Sequence, residues 1–365
     1  MTVPFADLRR QHDALRPALD AAMGRVLQRG WFILGDEVRS FELEFATWCE
    51  VGHAVGVASG TDAITLALMA LDIGPGDEVI TVPNVSAPTA AAIVAAGARP
   101  VFVDVDHETR NLNATALATA ITQRTRAIIP VHLYGQPADM GAVLTVAESA
   151  ALPVVEDAAQ AHGARFQGKP VGTLAIAGCF SFYPTKNLGA AGDAGMITTN
   201  NQALAGRLRM IREYGQTERY HNVIHGRNSR LDELQAAILR VKLPLVHEWN
   251  ARRRSIAARY TDGLRGTGLR LPGAPGDRDH VYHLYVVETE DRDGFRRRCQ
   301  ERGVQTAVHY PVPLHLQPCY RFLGYDEGSF PVAERLCRTV VSLPMFPELS
   351  DAEVERVIDA ARSAA

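Results

Sequence analysis

A succession of short, unbroken apolar runs separated by alanine-rich stretches constrains this chain more than anything else in it. The runs read as strands at 53–58, 78–83, 99–104, 127–132, 153–156, 178–183 and 195–199. Most are continuously apolar and do not alternate with polar residues. Strands of that kind are buried on both faces, as in a parallel sheet covered by helices. The intervening stretches at 62–71, 88–96, 113–121 and 140–149 read as those helices. The expected class is α/β, a wound, mostly parallel sheet flanked by helices.

The pattern changes after Asn228. A long helix is expected over 231–248, with Leu231, Leu234, Ile238 and Val241 on one face, continuing through a basic stretch at 251–264. A Gly/Pro-rich segment, GTGLRLPGAPGD, follows. Then come a strand at 280–288, a helix at 292–302, a loop rich in Pro and His, and a last helix from Asp351. This predicts a large domain over 1–249 and a smaller α+β C-terminal domain over 250–365. A chain of 365 residues has room for both cores.

The net charge of −3 offers no basic footprint for nucleic acid or an anionic membrane surface, yet leaves room for a locally positive pocket. Five cysteines, at 49, 179, 299, 319 and 337, are scattered without a C-x-x-C. That argues against a disulfide framework or a metal site and for a reducing, cytoplasmic compartment. The first residues are charged from Asp7 onward and lack the apolar core of a signal peptide, and no apolar run is long enough to span a bilayer.

Three pieces carry chemistry. Val154-Val155-Glu156-Asp157 is an apolar strand ending in a carboxylate, and ligands in open α/β sheets bind outside the carboxyl ends of strands. Read alone, Asp157 is a helix cap or turn residue. The run Cys179 to Gly189 ends a strand at Pro184 and sets Lys186 in a Gly-rich turn. Most lysines are solvated, but one just past a buried strand favours the neutral amine that an imine requires. Upstream, Ser59-Gly60-Thr61-Asp62 closes a strand and opens a helix, where free N–H groups and the helix dipole suit a phosphate. Taken by itself that turn is plain N-capping by Ser59 or Thr61, and beside a phosphate Asp62 would have to point away or toward another donor. Together, and in this order, the three meet the needs of pyridoxal 5′-phosphate (PLP): donors for its phosphate, a carboxylate for its pyridine nitrogen, a lysine for its aldehyde.

The chain resembles the DegT/DnrJ/EryC1/StrS family of PLP-dependent sugar aminotransferases, of the aspartate aminotransferase-like fold type I. The resemblance runs over nearly the whole length, through GWFILGDEVRSFELEFA, ASGTDAITLAL, VHLYGQPADM, VEDAAQAHGA, SFYPTKNLGAAGDAGMITT, GRNSRLDELQAAIL, HYPVPLHLQP and SLPMFPELSDAEVERV. It implies that Lys186 carries the cofactor as an imine and shuttles the proton. It implies that Asp157 pairs with the pyridine nitrogen, Gln160 with the ring hydroxyl oxygen, and Gly60, Thr61 and Ser181 with the phosphate. Asn228 would reach the phosphate of a neighbouring subunit, so a homodimer with shared sites is expected. Where many members carry an aromatic residue that stacks on the ring, this chain has Ala87 within Asn84 to Pro88, so the resemblance supplies no stacking residue.

The implied reaction moves an amino group from glutamate or glutamine to a keto-sugar, nucleotide-linked in the leading reading. An aminocyclitol substrate and a non-catalytic regulatory protein on the same fold are the alternatives. Relatives that deoxygenate sugars carry histidine in place of the lysine, which Lys186 argues against. A desulfurase would need a mobile cysteine, for which Cys319 is better read as a buried thiol. His309, Tyr310 and His315 face the site in the family, though packing in a Pro-rich loop explains them equally. Arg230 either reads a donor carboxylate or pairs with Asp232 or Glu233. Tyr183 lies near the lysine and is a candidate contact to cofactor or sugar.

Overall fold

The structure is a computed structural model that describes residues 2–273 and 275–365. Its central sheet has seven strands: β1 (His53–Val57), β2 (Glu78–Thr81), β3 (Arg99–Phe102), β4 (Thr125–Ile128), β5 (Val155–Asp157), β6 (Ala177–Ser181) and β7 (Gly195–Thr199). Their spatial order is β3-β2-β4-β5-β6-β7-β1, with β4 and β5 joined only by the parallel bridges Ile128–Val154 and Val131–Asp157. All run parallel except β7, which is antiparallel to both β6 and β1.

Helix α1 (Leu8–Arg29) comes first in the chain, and helices α2 (Asp36–Trp48), α3 (Gly60–Ala70), α4 (Ala87–Ala95), α5 (Ala114–Ala120), α6 (Met140–Ser149) and α7 (Gln202–Ile211) flank this sheet. The continuous apolar strands have the cause expected of them. Val79 and Ala127 pack with Ile64, Leu66 and Ile93 on one face. Ile80 and Ile128 pack with Leu117, Met140 and Val143 on the other. At the β6–β7–β1 end the second face differs: Phe180, Phe182, Met196 and Ala54 meet Phe41 and Phe45 of α2.

The long helix expected at 231–248 is two helices, α8 (Glu233–Lys242) and α9 (Val246–Leu264), separated by a 3-10 turn at Leu243–Leu245. Pro244 lies in that turn; it has no N–H to give, and its ring clashes with the preceding helical turn. Glu233 has a second task. Its carboxylate accepts from the amides of Gly35, Glu37 and Val38, at 2.8, 3.0 and 2.8 Å. It thereby caps α2, which has no capping side chain of its own.

Beyond α9 lie β8 (Tyr285–Glu288), α10 (Arg292–Glu301), α11 (Pro331–Thr339), β9 (Val340–Leu343) and α12 (Asp351–Ala364), with β8 and β9 antiparallel. The strand expected from 280 begins only at Tyr285, because Tyr282 takes a positive φ of 44° that interrupts the extended chain. Ile256, Tyr260, Tyr285, Phe295, Val341 and Val357 share one core, which Val3 also enters. Helix α12 starts with a full capping box between Ser350 and Glu353. Among the described residues no helix is long and apolar enough to cross a membrane, and no group of three or more His, Cys, Asp or Glu could hold a metal ion.

Candidate active site

The carboxyl ends of β1, β5 and β6 open on the same side of the sheet as the amino end of the reversed strand β7. Helix α3 begins there, and its first turn presses on the strands. A Cβ on Gly60 would come within 2.6 Å of the Ser181 Cβ, so only glycine permits this approach. Ser59 caps the helix, its Oγ accepting from the Asp62 amide at 3.1 Å. The carboxylate of Asp62 turns to the Ser229 hydroxyl, which donates to it at 2.8 Å. The repulsion anticipated between Asp62 and a phosphate is thus resolved. Gly60 and Thr61, whose amides by helix geometry lack partners within the helix, line the cavity together with Ser181.

Asp157 ends β5 and is buried. One of its oxygens accepts from the Thr89 hydroxyl at 2.7 Å and the other from the Ala159 amide at 3.1 Å. Lys186 lies one turn past β6, its amide bonded to the Tyr183 carbonyl at 2.9 Å. This turn closes on Gly189, where a Cβ would stand 2.2 Å from the Pro184 carbonyl oxygen. Burial pushes the Lys186 amine down to about 8, and the nearby Asp157 carboxylate opposes the shift. Burial, and then the charge of Lys186, push the His309 imidazole down to about 4.

Gln160 spans two walls. Its carbonyl oxygen accepts from the Tyr134 amide at 2.7 Å, and its Nε2 donates to the Tyr310 hydroxyl at 3.1 Å. The Tyr134 hydroxyl in turn bonds the His309 carbonyl, which ties the 309–310 segment to the large sheet.

Of the residues singled out from sequence, Gly60, Thr61, Asp157, Gln160, Ser181, Tyr183, Lys186, His309 and Tyr310 line one cavity of about 360 Å³. That is the size class of a cofactor-sized pocket. Asn228 and Arg230 line a shallower opening beside it with Ile33, Ala58 and Asp232, and Asp193 borders both. Arg230 approaches Glu213, at 3.8 Å, and the Tyr214 ring, not Asp232 or Glu233. His315 is corrected: it is not in the cavity wall. Its imidazole is buried 4.8 Å from the Phe330 ring centre, and Nε2 bonds Glu334 at 3.1 Å, so it belongs to packing.

Sequence reasoning missed Thr89, Ser86, Thr185, Asp193 and His283, all of which line the cavity. Thr89 had a faint signal as the one hydroxyl in an alanine-rich helix; His283 had none. The wall nearest Ala87 consists of Val85, Ser86, Pro88 and Thr89.

The donor set fits a phosphorylated pyridine. A helix start and a serine offer phosphate donors, a buried carboxylate is fixed by two bonds, and the lysine is partly buried at the cavity wall. A model of the DegT/DnrJ/EryC1/StrS aminotransferase family matches residues 14–362. The chain is 49% identical to a dTDP-3-amino-3,4,6-trideoxy-alpha-D-glucose transaminase of Streptomyces venezuelae, over 99% of this chain and 95% of that protein. It is 46% identical to a protein of Geobacillus stearothermophilus called a pleiotropic regulatory protein, over 98% and 97%. In three dimensions it resembles the crystal structure of S. venezuelae DesV in complex with a ketimine intermediate, with a TM-score of 0.97 at 49% identity, covering 99% of this chain and 98% of that one.

Proposed function

Since the chain belongs to the DegT/DnrJ/EryC1/StrS aminotransferase family, we propose that it uses PLP to move an amino group from glutamate or glutamine to a nucleotide-linked keto-sugar, releasing an amino-sugar. The observation that carries this reading is that Lys186 and Asp157 border the same cavity as the first turn of α3.

When bound, the cofactor supplies the electron sink that makes a Cα proton acidic. The chain's own residues do the rest. The Lys186 amine, with its affinity for a proton lowered by burial, removes that proton and holds it for return. General acid–base help of this kind is worth ~10²–10⁴-fold. Asp157, fixed by Thr89 and the Ala159 amide, keeps a pyridine nitrogen protonated. The amides of Gly60 and Thr61 and the Ser181 hydroxyl hold the phosphate. Gln160, fixed between Tyr134 and Tyr310, offers its amide to the ring hydroxyl. Tyr183, His309 and Tyr310 border the sugar.

Asn228 and Arg230 act from the opening where a second copy of the chain docks. Ile33 lines that opening, and Trp31, Tyr214 and Tyr220 line a neighbouring groove that shares Arg230; all four expose apolar surface, which suits burial in a homodimer. Sedimentation should therefore give a dimer, and Trp31→Asp should release monomers.

The catalytic reading is tested with purified protein. With PLP it should turn yellow, and borohydride should lock the chromophore onto the peptide holding Lys186. Glutamate or glutamine should bleach the band, and a nucleotide-linked keto-sugar should restore it; Lys186→Ala should lose turnover. Protein that takes up no PLP would favour the regulatory alternative. Turnover of a keto-cyclitol in place of the nucleotide-linked sugar would favour the aminocyclitol one.

A further inference from the structure

Next to Lys186 in sequence, Asn187 is buried within a polar network whose donor directions are forced. The side-chain nitrogen of Asn250 donates to the main-chain carbonyl of His162 at 2.8 Å. A carbonyl can only accept, so the Asn250 oxygen must face Asn187, whose nitrogen donates to it at 2.8 Å and to the Val281 carbonyl at 3.1 Å. The Asn187 oxygen is thereby turned to His283 Nδ1, 3.2 Å away, and it too can only accept. Nδ1 of His283 therefore carries the proton. Two main-chain carbonyls thus fix the tautomer, which is normally a matter of choice.

The consequence falls on the opposite ring nitrogen. With Nδ1 protonated and the ring neutral, Nε2 is a bare acceptor. Among the described residues no hydrogen bond reaches it, while His283 lines the same cavity as Lys186. Burial first, then the charges of Lys186 and Arg253 and the rings of His309 and His162, hold this imidazole well below its ordinary range, so it stays neutral.

We propose that His283 is a positioning residue for the reaction: its Nε2 accepts an N–H of the Lys186 side chain, aims the amine's lone pair into the cavity and steadies the ammonium once the proton has been taken. This deepens the proposed function and rests on Lys186 as the reactive amine. It also explains why Asn187 and Asn250 are buried. They form the brace that keeps His283 an acceptor.

Two measurements test it. In cofactor-free protein labelled with ¹⁵N-histidine, His283 should show a protonated Nδ1 and an unprotonated Nε2, and Asn187→Leu should give a mixture of tautomers. In holoenzyme, single-turnover rates for the donor and sugar half-reactions should fall together by about ten- to a hundredfold in His283→Leu, the effect of losing one hydrogen bond to a charged group. His283→Gln, whose amide oxygen can accept, should recover much of the loss, and PLP uptake should be unchanged in both variants. A protonated Nε2 in the wild-type protein overturns the proposal. So does a loss confined to the sugar half-reaction, which would make His283 a sugar ligand. Borohydride trapping at a lysine other than 186 would instead overturn the assignment of Lys186, and this proposal with it, whatever the tautomer.

Discussion

Lys186 sits between two opposing influences. Loss of water favours its neutral amine, while the Asp157 carboxylate favours the ammonium. In cofactor-free protein, labelling of Lys186 by an amine-reactive reagent should reach half its maximal rate near pH 8. Asp157→Asn removes the opposing charge and should move that midpoint lower. Peptide mass spectrometry across pH reads both, and a midpoint near the ordinary lysine value of 10.5 would reject this account. That Asp157 and Lys186 would border one cavity was legible in the sequence because the first ends a buried strand and the second lies in the turn just past another, where chain direction alone decides which edge of the sheet a residue reaches. Thr89 and His283 were not. Thr89 fixes Asp157 from a separate helix, and His283 meets Asn187 across a long stretch of chain, so neither leaves a local pattern to read.

Contacts between helix ends and strands carry the architecture at the next scale. Glu233 receives three amides at the start of α2, so Glu233→Ala leaves three donors short of an acceptor. The cost should be about 1–3 kcal/mol, seen as a lower urea midpoint with the absorption of bound PLP unchanged. Gly60→Ala behaves differently. Its Cβ would meet the Ser181 Cβ at 2.6 Å and push the first turn of α3 off the strand ends. PLP affinity should fall by about ten- to a hundredfold, because hydrogen bonds to a charged phosphate are lost; an unchanged dissociation constant in a spectroscopic titration would count against the phosphate assignment. The helices α3 to α6 were readable from their alanine-rich spacing, but α1 was not. Only Leu19, Ala22 and Val26 of its 22 residues are buried, a stripe too narrow to stand out, and Pro17 lies within it. Pro244 was visible in the sequence, and the expected unbroken helix ran through it against the proline rule.

The whole molecule keeps several imidazoles neutral inside it. Burial pushes His162 and His280 down to about 3 and His309 down to about 4. In the unfolded chain these rings take up protons near 6.5, so between the two ranges the unfolded state binds more protons than the folded one. Stability should therefore be fully present above about pH 6.5 and drain away as the pH falls towards about 3. Urea midpoints of the cofactor-free protein at successive pH values will read the slope, and a flat profile over that window would contradict the buried neutral rings. The sheet and its helical cover could be foreseen, because continuous apolar strands admit few other arrangements. The reversal of β7 could not, since a strand buried on both faces reads the same in either direction. That reversal bears on how the protein is made. Strands β6 and β7 are near neighbours in sequence and form a hairpin with the lysine turn at its tip, a local pairing of the kind that assembles quickly. His53, by contrast, must wait for Thr199. On the ribosome β1 emerges long before the strand it pairs with, so the amino-terminal segment must linger as an unpaired edge until the hairpin arrives, and nascent chains halted before residue 195 should lean on chaperones more than those halted after it.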